Sequence, residues 1–248
     1  MAALRIEREG DVLRVAMARP ERRNAFDASV IAELTEAFAD VGDARCVVLA
    51  GEGPSFSAGA DVEWQRSSID LTYDENVEDY RRLYTMLESI WRCPVPVVAR
   101  VQGYALGGGA GLTACVDIGV AGEDAVFGFS EVRLGIMPAV ISPMVLAKIG
   151  GTHARRYFVT GERFDAQTAL RIGLVQEVAT DLDTAVNGVV EAILASGPSA
   201  VREAKRLVLE PGGVDDLLAR ASAQRVSDEG QEGLRAFLEK RDASWRAG

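Results

Sequence analysis

Histidine, lysine and cysteine are scarce in this 248-residue sequence, and each scarcity removes a class of chemistry. The single imidazole, His153, rules out a multi-histidine zinc site. It stands in the polar segment Thr152-His153-Ala154-Arg155-Arg156, which suits a surface residue better than a base. There is also no Gly-x-Ser-x-Gly elbow, so a Ser-His-Asp hydrolase lacks its parts. The only lysines are Lys148, Lys205 and Lys240; none follows a glycine, and no phosphate-binding Walker A loop exists. Gly107 and Gly109 are followed by Leu112 where a dinucleotide fingerprint requires its third glycine. Cys46, Cys93 and Cys115 have no C-x-x-C spacing and read as reduced core thiols, without a disulfide framework.

Positive charge is also in deficit. Lysine plus arginine number 27 against 37 aspartates and glutamates, and the net charge of -10 repels nucleic acid and anionic lipid alike. The longest uncharged run, Val101 to Val116, contains five glycines and falls short of the roughly 20 apolar residues of a bilayer span. No basic stretch followed by an apolar segment opens the chain, so no secretory signal is expected and the expected location is cytoplasmic.

What is present is a balance of 48% hydrophobic and 26% charged residues, enough for a sizeable globular core. Residues 4 to 17 alternate apolar and polar on both sides of Gly10-Asp11, the pattern of a β-hairpin. Asp27 opens a helix with Ile31, Leu34, Phe38 and Val41 on one face, closed by Gly42. Buried strands are predicted at Cys46 to Ala50, Val95 to Val101 and Asp117 to Gly122. The first two each run into a glycine-rich loop, GEGPSFSAGAD and then GYALGGGAGLTAC. The stretch 61 to 79 carries no clear pattern; after it a helix bearing Tyr80, Tyr84, Leu87 and Trp91 is stopped by Pro94. Later helices run from Ser142-Pro143 to Gly150, from Asp165 to Gly173, and from Gly197-Pro198 to Leu209. Strands alternating with helices predict an α/β class with mostly parallel strands over 1–197. Residues 198–248, broken at Gly212-Gly213 and Gly230, form a helical region too small for a core of its own, to be packed on the body or on another subunit.

Two loops could carry chemistry. Ser57-Ala58-Gly59-Ala60-Asp61 and Gly107-Gly108-Gly109 both place small residues where backbone N–H groups can point outward, and two such amides meeting at one oxygen make an oxyanion hole. Glycines after strands also serve as simple turns. For proton transfer a carboxylate remains, and Glu131, set among Phe127, Phe129 and Val132, is the strongest candidate, since an apolar pocket raises a carboxyl pKa; the other reading is an exposed loop glutamate.

Taken in order, eight segments resemble the enoyl-CoA hydratase/isomerase (crotonase) family. They are Arg19-Pro20 with Asn24-Ala25-Phe26, Ser57 to Val62, Val101 to Gly109, Cys115 to Ile118, Phe127 to Pro138, Thr160 to Phe164, Ala169 to Val178 and Glu232 to Arg241. The resemblance implies a crotonase-like spiral of ββα units with a helical C-terminal trimerisation region, assembled as a homotrimer or hexamer. It implies an acyl-CoA thioester as substrate, a place in fatty acid metabolism, and neither a metal nor a redox cofactor. By position, the amides of Ala60 and Gly108 would hold the thioester oxygen of the enolate, and Glu131 would be the general acid/base. Arg22, Arg23, Ala25, Ala58 and Asp61 would lie along the coenzyme A, with Phe237 and Lys240 reaching its nucleotide end, from a neighbouring subunit or the same one.

One position departs from the family pattern. Typical hydratases are similar in having a second catalytic glutamate two residues after the triple glycine, and here that residue is Gly111. A single carboxylate suits a Δ3-Δ2 enoyl-CoA isomerase. Yet Gly107 to Leu112, with Ser130 to Pro143, resembles bacterial hydratases of glutaconyl-type CoA esters that also carry glycine there. Ala139 stands where dienoyl-CoA isomerases resemble one another in having aspartate, which disfavours that subtype. The leading expectation is an enoyl-CoA hydratase; the isomerase and a non-catalytic acyl-CoA-binding protein are the alternatives. Met137, Val140 and Ile141 are expected to narrow the acyl pocket.

Overall fold

The computed structural model describes residues 3–246. The chain begins with the hairpin of β1 (Leu4–Glu9) and β2 (Val12–Met17), turning at Gly10 with a φ of 55° that favours glycine. Helix α1 (Ala28–Ala39) is capped by Asp27, whose carboxylate accepts from Ser29 N–H at 3.0 Å and Val30 N–H at 3.2 Å. There follow β3 (Cys46–Gly51), α2 (Val62–Ser67), α3 (Tyr73–Trp91), β4 (Val97–Val101), β5 (Tyr104–Leu106), α4 (Gly108–Cys115), β6 (Ile118–Gly122) and β7 (Val126–Gly128). After a short 3-10 turn come α5 (Ser142–Thr160), β8 (Arg163–Asp165), α6 (Ala166–Ile172), β9 (Glu177–Ala179) and α7 (Leu182–Leu194). Then α8 (Pro198–Leu209), α9 (Val214–Val226) and α10 (Asp228–Glu239) follow in succession.

The principal sheet has the order β1-β2-β3-β4-β6-β9, and only the opening hairpin is antiparallel. Its central strands are mostly apolar because both faces are covered; the exception is Arg100 near the end of β4, which pairs with Asp183. Val47, Leu49, Val97 and Ala99 turn into the large core with α1, α3 and α4, while Cys46, Val48, Val98 and Val120 pack beneath α7 against Leu182, Val186 and Val190. Each fully buried aliphatic side chain there contributes about 1.5–3 kcal/mol. A second sheet of three strands, β5-β7-β8, lies on the side that carries the glycine turns. Helix α8 is tied down by Lys205, whose ammonium meets Asp117 Oδ2 at 2.7 Å and Val95 O at 3.0 Å.

Several expectations need correction. The unassigned stretch 61–79 holds α2 and the first turns of α3, which starts in a capping box: Thr72 Oγ accepts from Glu75 N–H while the Glu75 carboxylate accepts from Thr72 N–H. The core face of α3 is Leu83, Met86, Leu87 and Ile90, whereas Tyr80 and Tyr84 stay exposed. Residues 104–106 form β5 rather than loop. Gly150 kinks α5 and does not close it, because hydrogen bonding resumes and carries the helix to Thr160. Gly230 lies in the first turn of α10, where its N–H donates to Ser227 Oγ at 3.1 Å, so the break falls at Ser227. Among the described residues no helix is long and apolar enough to cross a membrane.

Candidate active site

The loop after β3 is laced to its surroundings before it reaches the site. Asn24 Nδ2 donates to Glu52 O and Ser55 O, both at 2.8 Å; Ser57 N–H donates to Tyr104 O at 2.9 Å, and Leu106 N–H donates back to Ser57 O at 3.1 Å. Phe26 N–H donates to Gly59 O at 2.8 Å and Asp61 N–H to Phe26 O at 3.0 Å. These bonds straddle Ala60 and leave its N–H without an acceptor among the described residues. Gly108 opens α4, so its N–H belongs to the first-turn donors that lack an intrahelical partner.

The two turns nearly touch. A Cβ at Gly59, whose φ is 86°, would stand 2.5 Å from Leu106 O and 3.2 Å from Gly108 N, and one at Gly109 would strike Ser57 O. Only glycine permits that approach. Gly107 N–H donates to Gly128 O at 2.8 Å, which fastens the start of α4 to the end of β7. Three residues beyond Gly128 the chain reaches Glu131, whose Oε1 lies 3.6 Å from where a Gly107 Cβ would be. The other carboxyl oxygen, Oε2, is buried with no hydrogen-bond partner. Burial raises the Glu131 pKa above its ordinary 4.5, outweighing the lowering effect of its own backbone N–H.

A cavity of about 150 Å³ opens between these groups, and its wall includes Ala58, Ala60, Gly108 and Glu131. Met137, Val140 and Ile141 close one side, as the sequence predicts. Gly111 is not on the wall. A Cβ there would stand 2.5 Å from Ile141 Cγ2, so Ile141 fills the space that a side chain at 111 would enter. The opposite side is built by residues that the sequence reading missed: Trp64 and Gln65 from α2, and Asn76, Asp79 and Tyr80 from α3. Asp79 brings a second carboxylate to the wall, paired with Arg82 at 3.1 Å. The Thr72-x-x-Glu75 capping signature was the available signal for this helix.

This arrangement of two unpaired amides and a desolvated acid around one small cavity can hold a carbonyl oxygen as it becomes negative and move a proton beside it. The family profile described as enoyl-CoA hydratase/isomerase matches residues 7–248. The chain belongs to the enoyl-CoA hydratase/isomerase family. It is 31% identical over 258 residues, covering 97% of this chain and 95% of the relative, to the cyclohexa-1,5-dienecarbonyl-CoA hydratase of Thauera aromatica. Its fold superposes on an enoyl-CoA hydratase from Shewanella pealeana with a TM-score of 0.92 at 37% identity, covering 98% of this chain and 96% of the other. On Pseudomonas aeruginosa AtuE the TM-score is 0.94 at 34% identity, covering 98% and 99%. These are the relations of a crotonase-fold enzyme of the enoyl-CoA hydratase type, a family that acts on acyl-CoA substrates.

Within this crotonase frame, five of the seven expected coenzyme-side residues gather at one flank. Ala58 lines the cavity, and its N–H donates to Arg23 O at 2.9 Å. Arg23 and Asn24 both hold left-handed backbone at φ 52°, a conformation uncommon outside glycine. Ala25 is buried beside them. Asp61, only 4% exposed, caps α2 through Glu63 N–H at 2.9 Å and pairs with Arg22 at 3.0 Å. Burial pushes its carboxyl up, but the Arg22 hydrogen bond and the Glu63 N–H prevail and hold it below the usual value. Phe237 and Lys240 do not join this flank on the cavity wall; they sit on and just after α10, with Lys240 in left-handed conformation at the helix end.

Proposed function

We propose that this crotonase-family protein is a hydratase that adds water across the α,β double bond of an enoyl-CoA thioester. The observation that carries the reading is the meeting of the Ala60 and Gly108 turns beside the orphaned, desolvated carboxyl of Glu131. In the proposed reaction Glu131 takes a proton from water as the hydroxyl bonds to C3, and the π electrons move toward the thioester oxygen. The Ala60 and Gly108 amides stabilise that enolate, a contribution of about 3 kcal/mol for each good donor. Glu131 then returns the proton to C2. The chemistry draws on no metal or redox cofactor.

A second reading is favoured by Gly111: with Ile141 filling the other glutamate's place, Glu131 alone could instead carry a proton between C2 and C4, as a Δ3-Δ2 isomerase. Incubation with crotonyl-CoA and with a 3-enoyl-CoA, read by mass spectrometry, separates the two. Hydration of crotonyl-CoA adds the mass of one water; product of unchanged mass from the 3-enoyl substrate alone would establish the isomerase. Tight acyl-CoA binding without any product would mark a non-catalytic binder.

We further propose a homotrimer or hexamer at work in the cytoplasm. Phe237 and Leu238, 80% and 77% exposed, offer the apolar surface for such assembly, and Phe237 with Lys240 would then meet a neighbour's coenzyme A. Arg22, Arg23, Ala25, Ala58 and Asp61 are the proposed coenzyme-side residues of the same chain. Sizing by light scattering tests the assembly.

A further inference from the structure

The cavity has two unlike sides. Leu134, Met137, Val140 and Ile141 give it an apolar wall, whereas the side built by α2 and α3 is largely polar. On α3 the lining residues Asn76, Asp79, Tyr80 and Leu83 recur at three- and four-residue spacing, so a single helical face runs along the cavity. Leu83 also belongs to the core stripe with Met86, Leu87 and Ile90. That face therefore changes from apolar to polar at the point where it leaves the core and borders the cavity. A pocket shaped only for a hydrocarbon chain would gain by continuing the apolar stripe, because a desolvated polar group without a partner is costly.

The hydrogen bonds on this face decide which kind of polarity is left over. Asn76 Nδ2 donates to Leu71 O at 3.1 Å and to Thr72 O at 3.0 Å, which fixes Oδ1 as the acceptor end of the amide. Among the described residues no donor is bonded to that oxygen. Asp79 Oδ1 accepts from Arg82 at 3.1 Å, and Oδ2 has no hydrogen-bond donor among the described residues. The Asp79 side chain is only 14% exposed, so bulk water solvates that oxygen poorly, while Arg82 is more than half exposed and lies off the cavity wall. The polar wall thus carries two unused acceptors one helical turn apart, with the Tyr80 hydroxyl beside them.

We propose that Asp79, with Asn76, selects an acyl group that carries a hydroxyl: the apolar wall takes the carbon skeleton and the two acceptors take the O–H. This rests on the acyl-CoA reading above and names the acyl class within it. A plain alkyl chain leaves both acceptors dry and unpaired, and a carboxylated chain of the glutaconyl kind brings a second negative charge against Asp79. Asp79 acts in binding; proton transfer stays with Glu131.

The test uses three six-carbon 2-enoyl-CoA thioesters whose last carbon is a methyl, a hydroxymethyl or a carboxylate, with their saturated counterparts for calorimetry. Wild type should favour the hydroxymethyl thioester over the methyl one at least about tenfold, in kcat/KM and in affinity, as a charge-assisted hydrogen bond warrants. Asp79→Leu should bring that ratio to one or below, and Asp79→Asn should admit the carboxylate thioester by removing the like charge. Ratios within one variant cancel general damage to the fold, which lowers all three substrates alike, and calorimetry reads the preference without relying on turnover. A wild-type ratio of one or less, a ratio unmoved by Asp79→Leu, or a wild-type preference for the carboxylate thioester would overturn the proposal. Neither binding nor turnover with any of the three would instead overturn the acyl-CoA reading itself.

Discussion

Ile141 Cγ2 stands 2.5 Å from the point a Cβ at Gly111 would occupy, and its Cβ stands 3.0 Å from that point. The glycine and the isoleucine are thus complementary: the branched side chain has taken the volume where typical family members place a carboxylate. Gly111→Glu should therefore destabilise the protein, by about 1–3 kcal/mol for overpacking and more for an unpaired buried charge. Adding Ile141→Ala should recover much of that loss. Thermal melts of the two single variants and the double variant form the cycle that checks it; additive effects would show that the residues are independent.

Glu131 connects activity and stability in opposite directions. Because burial raises its pKa, the folded state holds the proton more tightly than the unfolded chain, and stability falls as pH rises from 4.5 through the folded value. Above that folded value the cost is fully present. Glu131→Gln should lower kcat by about 10²–10⁴-fold while raising the melting temperature at pH 7. The acid limb of the wild-type kcat/KM profile should lie above the ordinary glutamate value, and calorimetry with a pH-rate series measures both.

At Gly108 the limit is steric. A Cβ there would strike the Phe26 ring, which is itself buried on the cavity wall. Gly108→Ala should move the first turn of α4 and reduce kcat by about 10²–10³-fold, the loss expected for one oxyanion donor. A wild-type rate would separate this amide from the chemistry.

The thiols should be inert in the native state. Burial pushes Cys46 up to about 12 and raises Cys93 and Cys115 as well. Iodoacetamide at pH 8 should leave the folded protein unmodified and label all three cysteines after denaturation, as read by intact mass.

The sequence made the main sheet legible because its central strands are largely apolar runs with Gly or Pro close by, and it made α1 and α6 legible through Asp27 and Asp165. The triple glycine and the family pattern pointed to both turns and to Glu131. The far cavity wall was hidden because α2 and the start of α3 are polar on most sides: their structure is set by caps at Asp61 and Thr72 rather than by a hydrophobic stripe. Three-residue strands such as β5 and β8 carry no periodicity to read. Steric facts also stay hidden, since nothing in the spacing of Gly111 and Ile141 announces that they share one volume.

The bond from Gly107 N–H to Gly128 O joins the start of one proposed catalytic element to the root of the other. Together with the β5–β7 pairing it gives the amide donor and the acid one common support, so a substitution that loosens either strand end should disturb both at once.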